Sequence, residues 1–131
     1  MKTKTSELTG DALDWAVAKA LEMHVWPTRG GWFTFDSDAY PEYRNDYNDD
    51  KLQPFRPSTS WAQGGAIIER ERICLEDAAG MYWVATMLYQ NDDDGRIQTS
   101  EEQGATPLVA AMRCYVASKL GDEVEIPKGL I

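Results

Sequence analysis

The sequence predicts an α+β fold: one domain over residues 1–131, with a small, mainly antiparallel sheet packed by three helices. Three observations carry that expectation. Apolar residues recur at helical spacing in three separate stretches, each opened by an N-cap residue. A run rich in aromatic and β-branched residues, Met81 to Leu88, follows the turn-forming pair Ala79-Gly80. The 43% hydrophobic content with five tryptophans supplies a core and lies outside the composition of disordered chains.

The first helix is expected over Thr9 to Met23. Thr9 is its N-cap, Asp11 and Asp14 favour the positive end of the dipole, and Leu13, Ala16, Val17, Ala20 and Leu21 make one core face. Residues 24 to 57 show no clean period, hold four of the six prolines and carry eight aromatics; a short strand is expected at Gly31 to Phe35. Ser60 and Gln63 form a capping box for a second helix over Trp61 to Glu71, with Trp61, Gly65, Ile68 and Arg72 near one face. Gly64-Gly65 permits close helix packing. Ile73 to Leu75 and Met81 to Leu88 read as the two strands of a hairpin. The last helix has Thr106 as N-cap, Pro107 at its first position and Gly121 as its left-handed stop, and it is apolar almost all round. Such a cylinder is core scaffold rather than a site.

Charge and cysteine usage narrow the function. The net charge is −9, and it divides between Asp36 to Asp50 and Asp92 to Glu102, two stretches expected as acidic loops. Acidity of this sign argues against direct nucleic-acid binding, which rests on Lys and Arg displacing counterions. The polar N-terminus and the shortness of every apolar run argue against export and membrane insertion, so a soluble cytoplasmic protein is expected. Cys74 and Cys114 read as buried free thiols, in keeping with a reducing compartment.

The candidate chemistry is sparse. Counting Gln90 as the first position, Asp92, Asp94, Gly95 and Glu101 fall on the calcium-loop template, but the first position lacks its acidic ligand and the entering segment reads as a strand. A solvated turn is the expected reading, with neither metal nor cofactor. His24, the single histidine, is expected to close the first helix, since no nucleophile signature accompanies it. No catalytic constellation is legible, and the protein is not expected to be an enzyme. The stretch from Trp26 to Trp61 holds nine aromatics interleaved with arginines, a mixture that stacks on planar ligands, forks onto phosphate or marks a protein interface. Trp32, Tyr43, Arg56, Trp61 and Arg70 are the residues expected to form a contact surface.

Three blocks of the chain carry a family resemblance. Lys4 to Gly10 leading into Ala12 to Ala20, then Ser58 to Gly65 with Ile67 to Glu71, and finally Thr106 to Gly121, resemble the NinX family of tailed phages and prophages of enterobacteria. The order of elements is also similar to a phage domain described as an α-β-α sandwich. The resemblance implies a viral accessory protein acting in the bacterial cytoplasm, dispensable for virion assembly, and it transfers no catalytic residue. The expected function is therefore non-enzymatic binding of a host factor or a small nucleotide-like ligand, including sequestration of a defence signal. An acidic mimic of nucleic acid directed at a basic host protein is the alternative, and an accessory domain without a small-molecule ligand is a further one. A homo-oligomer is compatible with each.

Overall fold

The computed structural model describes residues 1–28, 31–34, 55–91 and 93–127, with 26–28 and 31–34 described by their backbone alone. Its elements are β1 (Lys2–Lys4), a 3₁₀ turn (Thr5–Glu7), α1 (Gly10–Ala20), β2 (Val25–Thr28), β3 (Gly31–Thr34), α2 (Trp61–Glu71), β4 (Cys74–Ala78), β5 (Tyr82–Gln90), β6 (Ile97–Gly104), α3 (Pro107–Leu120) and β7 (Glu123–Glu125). The α+β expectation holds: β4, β5 and β6 form an antiparallel meander, while β2 pairs with β3 and β1 with β7, both antiparallel.

The last helix is the scaffold. Thr106 accepts a hydrogen bond from the Val109 N–H at its N-cap, Pro107 occupies the first turn, and Leu108, Ala110, Ala111, Met112, Cys114, Tyr115 and Val116 are buried. With apolar residues around most of its circumference, α3 is covered by the β5–β6 sheet on one side and by α1 and α2 elsewhere. Gly121 does carry a positive φ of 87°, but its ψ of −165° lies outside the left-handed helical region, so the helix leaves into an extended segment. That exit carries the chain into β7, beside β1.

Small residues let α3 approach the sheet. A Cβ on Gly104 would lie 2.5 Å from the Ala110 backbone nitrogen and 3.0 Å from its Cα, and Ala85 on β5 is fully buried. Ser100 Oγ donates to the Cys114 carbonyl at 2.9 Å while Cys114 Sγ donates to the Ser100 carbonyl at 3.2 Å, a reciprocal tie between β6 and α3. Burial pushes the Cys114 thiol up to about 11, which makes it a packing group rather than a nucleophile.

Several sequence expectations are revised. The first helix ends at Ala20, and Glu22 at φ 60° forms a Schellman motif in which the Glu22 and Met23 N–H groups bond the Lys19 and Ala18 carbonyls. His24 follows this closure and is exposed. Thr9 is the N-cap by position, but its side chain makes no capping bond. The expected strand at 31–35 is β3, and its partner β2 was not anticipated. The expected acidic loop is a loop only in its described residues 93–96: from Ile97 on, Glu101 and Glu102 included, the chain is β6, which pairs along the whole of β5 except its first residue, Tyr82. Cys74 is exposed, not buried, and both cysteines are free.

Candidate functional site

A turn at residues 55–60 and the first residues of α2 hold the described members of the expected contact surface. Phe55 is buried and Pro57 is among the fully buried side chains, so the turn is nailed to the core at two points. Between them, the Arg56 carbonyl accepts from the Thr59 and Ser60 N–H groups at 3.1 and 2.9 Å. Ser60 then caps α2, its hydroxyl accepting from the Gln63 N–H at 3.4 Å. The other half of the capping box is redirected: Gln63 Oε1 accepts from the Arg56 N–H at 2.7 Å instead of from Ser60. Gln63 therefore fastens Arg56 to the helix start.

The turn is pinned from below by a carboxylate. Asp14 on α1 is only 4% exposed, and its Oδ1 accepts from the Ser58 N–H at 2.9 Å. Burial pushes its pKa up to about 6, against the pull of the Ser58 backbone bond and the nearby Arg56 charge, with Asp11 adding to the rise. The Ser58 hydroxyl is buried without a well-formed hydrogen bond and adds a weaker attraction for the charged carboxylate. Gly64 completes the seat: a Cβ there would clash with the Pro57 carbonyl oxygen and lie 2.6 Å from Leu108 Cδ2. Close packing at Gly64 is as the sequence predicts; Gly65 meets only the Trp61 ring, at 3.9 Å.

This framework presents side chains outward. The buried face of α2 is Gln63, Gly64 and Ile67, and not the side that carries Trp61. Trp61 is consequently 58% exposed, and Arg56 is exposed at the same end of the helix. Arg70 is also exposed but lies nine residues further along α2, roughly 13 Å away and about half a turn around the axis. Trp61 and Arg70 therefore cannot grip one small ligand together. Trp32 falls on β3 opposite Pro27, with its side chain not described, and Tyr43 lies outside the described residues.

The calcium template meets a hairpin turn. The Asn91 N–H bonds the Arg96 carbonyl, the Gly95 N–H bonds the Asn91 carbonyl, and Asn91 and Asp94 side chains accept from the Asp93 and Arg96 N–H groups. These are the local bonds of an Asx-type turn. Glu101 lies along β6 opposite Thr86, roughly 13 Å from the pair that closes the hairpin. Asp92 lies outside the described residues. Among the described residues no group of three or more His, Cys, Asp or Glu is placed to hold a metal ion.

Two clefts among the described residues carry carboxylates that oppose phosphate. A cleft of about 610 Å³ at the C-terminal end of α3 is large enough for a small ligand, but Glu71 and Asp93 face its Lys119. A second, of about 430 Å³, is bordered by Glu101 and Glu102. Its Arg113 is committed to the Leu8 and Gln103 carbonyls, each at 2.8 Å. Burial raises the Glu102 pKa, with Asp122 adding to it and Arg113 opposing. Lys19 and Lys119 do meet at a cleft of about 380 Å³, where they neutralise the negative ends of α1 and α3.

With the serine-capped turn, the packed terminal helix and the sheet between them in place, the sequence blocks can be matched as a whole. The profile described as Bacteriophage P22, NinX matches residues 4–119. The chain belongs to this family. The match spans the helices α1, α2 and α3 and the sheet, and it identifies a phage accessory protein. No curated protein matches the chain. Among the described residues no helix is long and apolar enough to cross a membrane. Asp14 and Gln63, which build the surface, are residues that sequence reasoning missed as functional supports. A signal existed for Asp14, because it sits three and four residues before Val17 and Ala18 on the buried stripe.

Proposed function

We propose that this phage accessory protein is a non-enzymatic binding protein that engages a host protein through the surface around Arg56 and Trp61. The observation that carries the reading is the outward Trp61 on a pinned turn. A large aromatic side chain is left 58% exposed at a helix start whose backbone is fixed by Asp14, Gln63, Phe55 and Pro57. Trp and Arg are the residue types that dominate binding energy at interfaces, and a rigid frame lowers the entropy lost on association. The cytoplasm of the infected bacterium is the compartment in which such a partner would be met.

A nucleotide-like ligand stacked on Trp61 and held at Arg56 is the second reading, favoured by the placement of both side chains at one end of α2. The two separate cleanly. Capture from host lysate should be lost by at least ~10-fold in Trp61→Ala and in Arg56→Ala while the fold is retained. Tryptophan emission should stay unchanged on titration with cyclic dinucleotides and adenine dinucleotides. Capture that ignores both substitutions removes the protein-binding reading, and quenching confined to the Trp61-containing protein installs the nucleotide one.

A further inference from the structure

Among the described residues, α3 packs on one face of the β4–β5–β6 sheet. Its other face is defined by the register: Tyr82, Val84, Thr86 and Leu88 alternate with the residues turned toward α3. Leu88 is 67% exposed, and Ile97, diagonal to it on β6, is 65% exposed. A stripe broken only by the hydroxyl of Thr86 therefore runs along the central strand from Tyr82 through Val84 to Leu88, roughly 20 Å in length. Carboxylates flank it on both sides. Glu76 on β4 is paired beside Val84, and Glu101 on β6 beside Thr86, both exposed.

We propose that this open face is a docking site for a cationic amphipathic helix of a partner protein, separate from the Trp61 surface and independent of it. The fit is one of length, width and charge. A stripe of roughly 20 Å matches about 14 residues of α-helix. Two strand spacings plus the offset in register place Glu76 and Glu101 about 12 Å apart, the diameter of a helix with its side chains. A helix lying along β5 would set its apolar face on Tyr82, Val84 and Leu88. Lys or Arg on both flanks of that face would reach the two carboxylates. From residue 74 to 104 the chain has seven acidic residues against the single Arg96, so the surroundings attract the same partner. A second copy is a poor occupant, because stacking two such faces would bring four glutamates together without a cation. Nucleic acid and anionic membrane surfaces are repelled by the same charge.

The test uses the full chain and a labelled peptide of about 14 residues, with a leucine stripe flanked on both sides by lysines, followed by fluorescence anisotropy. A peptide of identical composition, shuffled to remove the stripe, is the control for charge alone. The stripe peptide should bind at least tenfold more tightly than the shuffled one. Glu76→Lys combined with Glu101→Lys, and separately Leu88→Ser, should each weaken it at least tenfold, with melting temperatures close to the parent's. Trp61→Ala should leave it unchanged. Absence of binding, equal binding of the shuffled peptide, or indifference to all three face substitutions overturns the proposal. Sedimentation showing a dimer that Leu88→Ser dissociates also overturns it, in favour of a second copy.

Discussion

The two faces of the β4–β5–β6 sheet come from the same strands and could hardly differ more. Toward α3 stand Ala85, Met87, Ser100 and Gly104, all buried, with Leu75, Trp83 and Tyr89 packed against the core on the same face and Ser100 bonded across to the helix. Away from it stand Leu88, Ile97, Glu76 and Glu101, all exposed, and among the described residues no helix packs on them. At Ala85, Ser100 and Gly104, where α3 comes nearest, the residues are small, so local side-chain size and not the presence of apolar groups marks the close approach. The covered face is built for contact with backbone; the open face is built for contact with side chains.

The strongest way to break that contrast is to add volume on the covered side. Gly104→Val places branched carbon against the Ala110 backbone, which cannot move aside as a side chain tip would. It should cost about 3 kcal/mol or more in chemical denaturation, or prevent folding. A comparable effect, but one governed by pH, is expected at the buried carboxylate on the far side of α3. Asp14 has an ordinary value of 3.8 and a folded value of about 6, so the folded state prefers it protonated. Its contribution to stability is complete below pH 3.8 and is lost as pH rises through 6, by about 3 kcal/mol at most. Asp14→Asn keeps an acceptor for the Ser58 N–H and removes the titration. Its stability relative to the parent should therefore improve progressively from pH 4 to pH 7, as measured by urea unfolding at each pH. A gap that stays constant over that range removes the assignment.

Smaller effects sharpen the same contrast. Ser100→Ala deletes the donor to the Cys114 carbonyl and should cost about 1 kcal/mol, read as a shift of the denaturation midpoint. On the open face, Leu88→Ser should change stability by no more than about 0.5 kcal/mol, since the side chain is already 67% exposed. A large loss there would show that the open face is packed in the folded protein.

Much of this architecture is readable from the chain. The boundaries of α2 coincide with the capped, periodic stretch, and α3 starts where Thr106-Pro107 demands it. The β4–β5 hairpin turns at Ala79-Gly80, at φ 56° and 74°, where glycine adopts the positive value freely and Asp77 Oδ1 accepts from the Gly80 N–H at 2.9 Å. β6 is hidden in the sequence for a physical reason: Ile97 to Gly104 has one apolar residue and four acids or amides, so neither composition nor alternation marks it as a strand. Only pairing with β5 makes it one. The orientation of Trp61 escaped for a related reason. Spacing groups Trp61 with Gly65 and Ile68 without saying which side is covered, and glycine at position 64 lets Pro57 and Leu108 pack there, which leaves Trp61 outward. The intervening expectation, that rings between the first two helices face outward, is answered at one described position by Phe55, which is buried; Tyr43 and the acidic stretch 36–50 lie outside the described residues.

By itself the sequence determined which segments are helical, where two of them start, that a hairpin follows α2, and to which phage family the chain belongs. Those properties depend on neighbours a few residues away, whose caps, turns and periods act locally. Which face of α2 is buried, which face of the sheet stays open, and that Asp14 holds a turn distant in the chain were decided by the tertiary structure. Each depends on how closely two elements approach, a distance set by glycines and alanines whose importance is visible only once their opposite partner is in place.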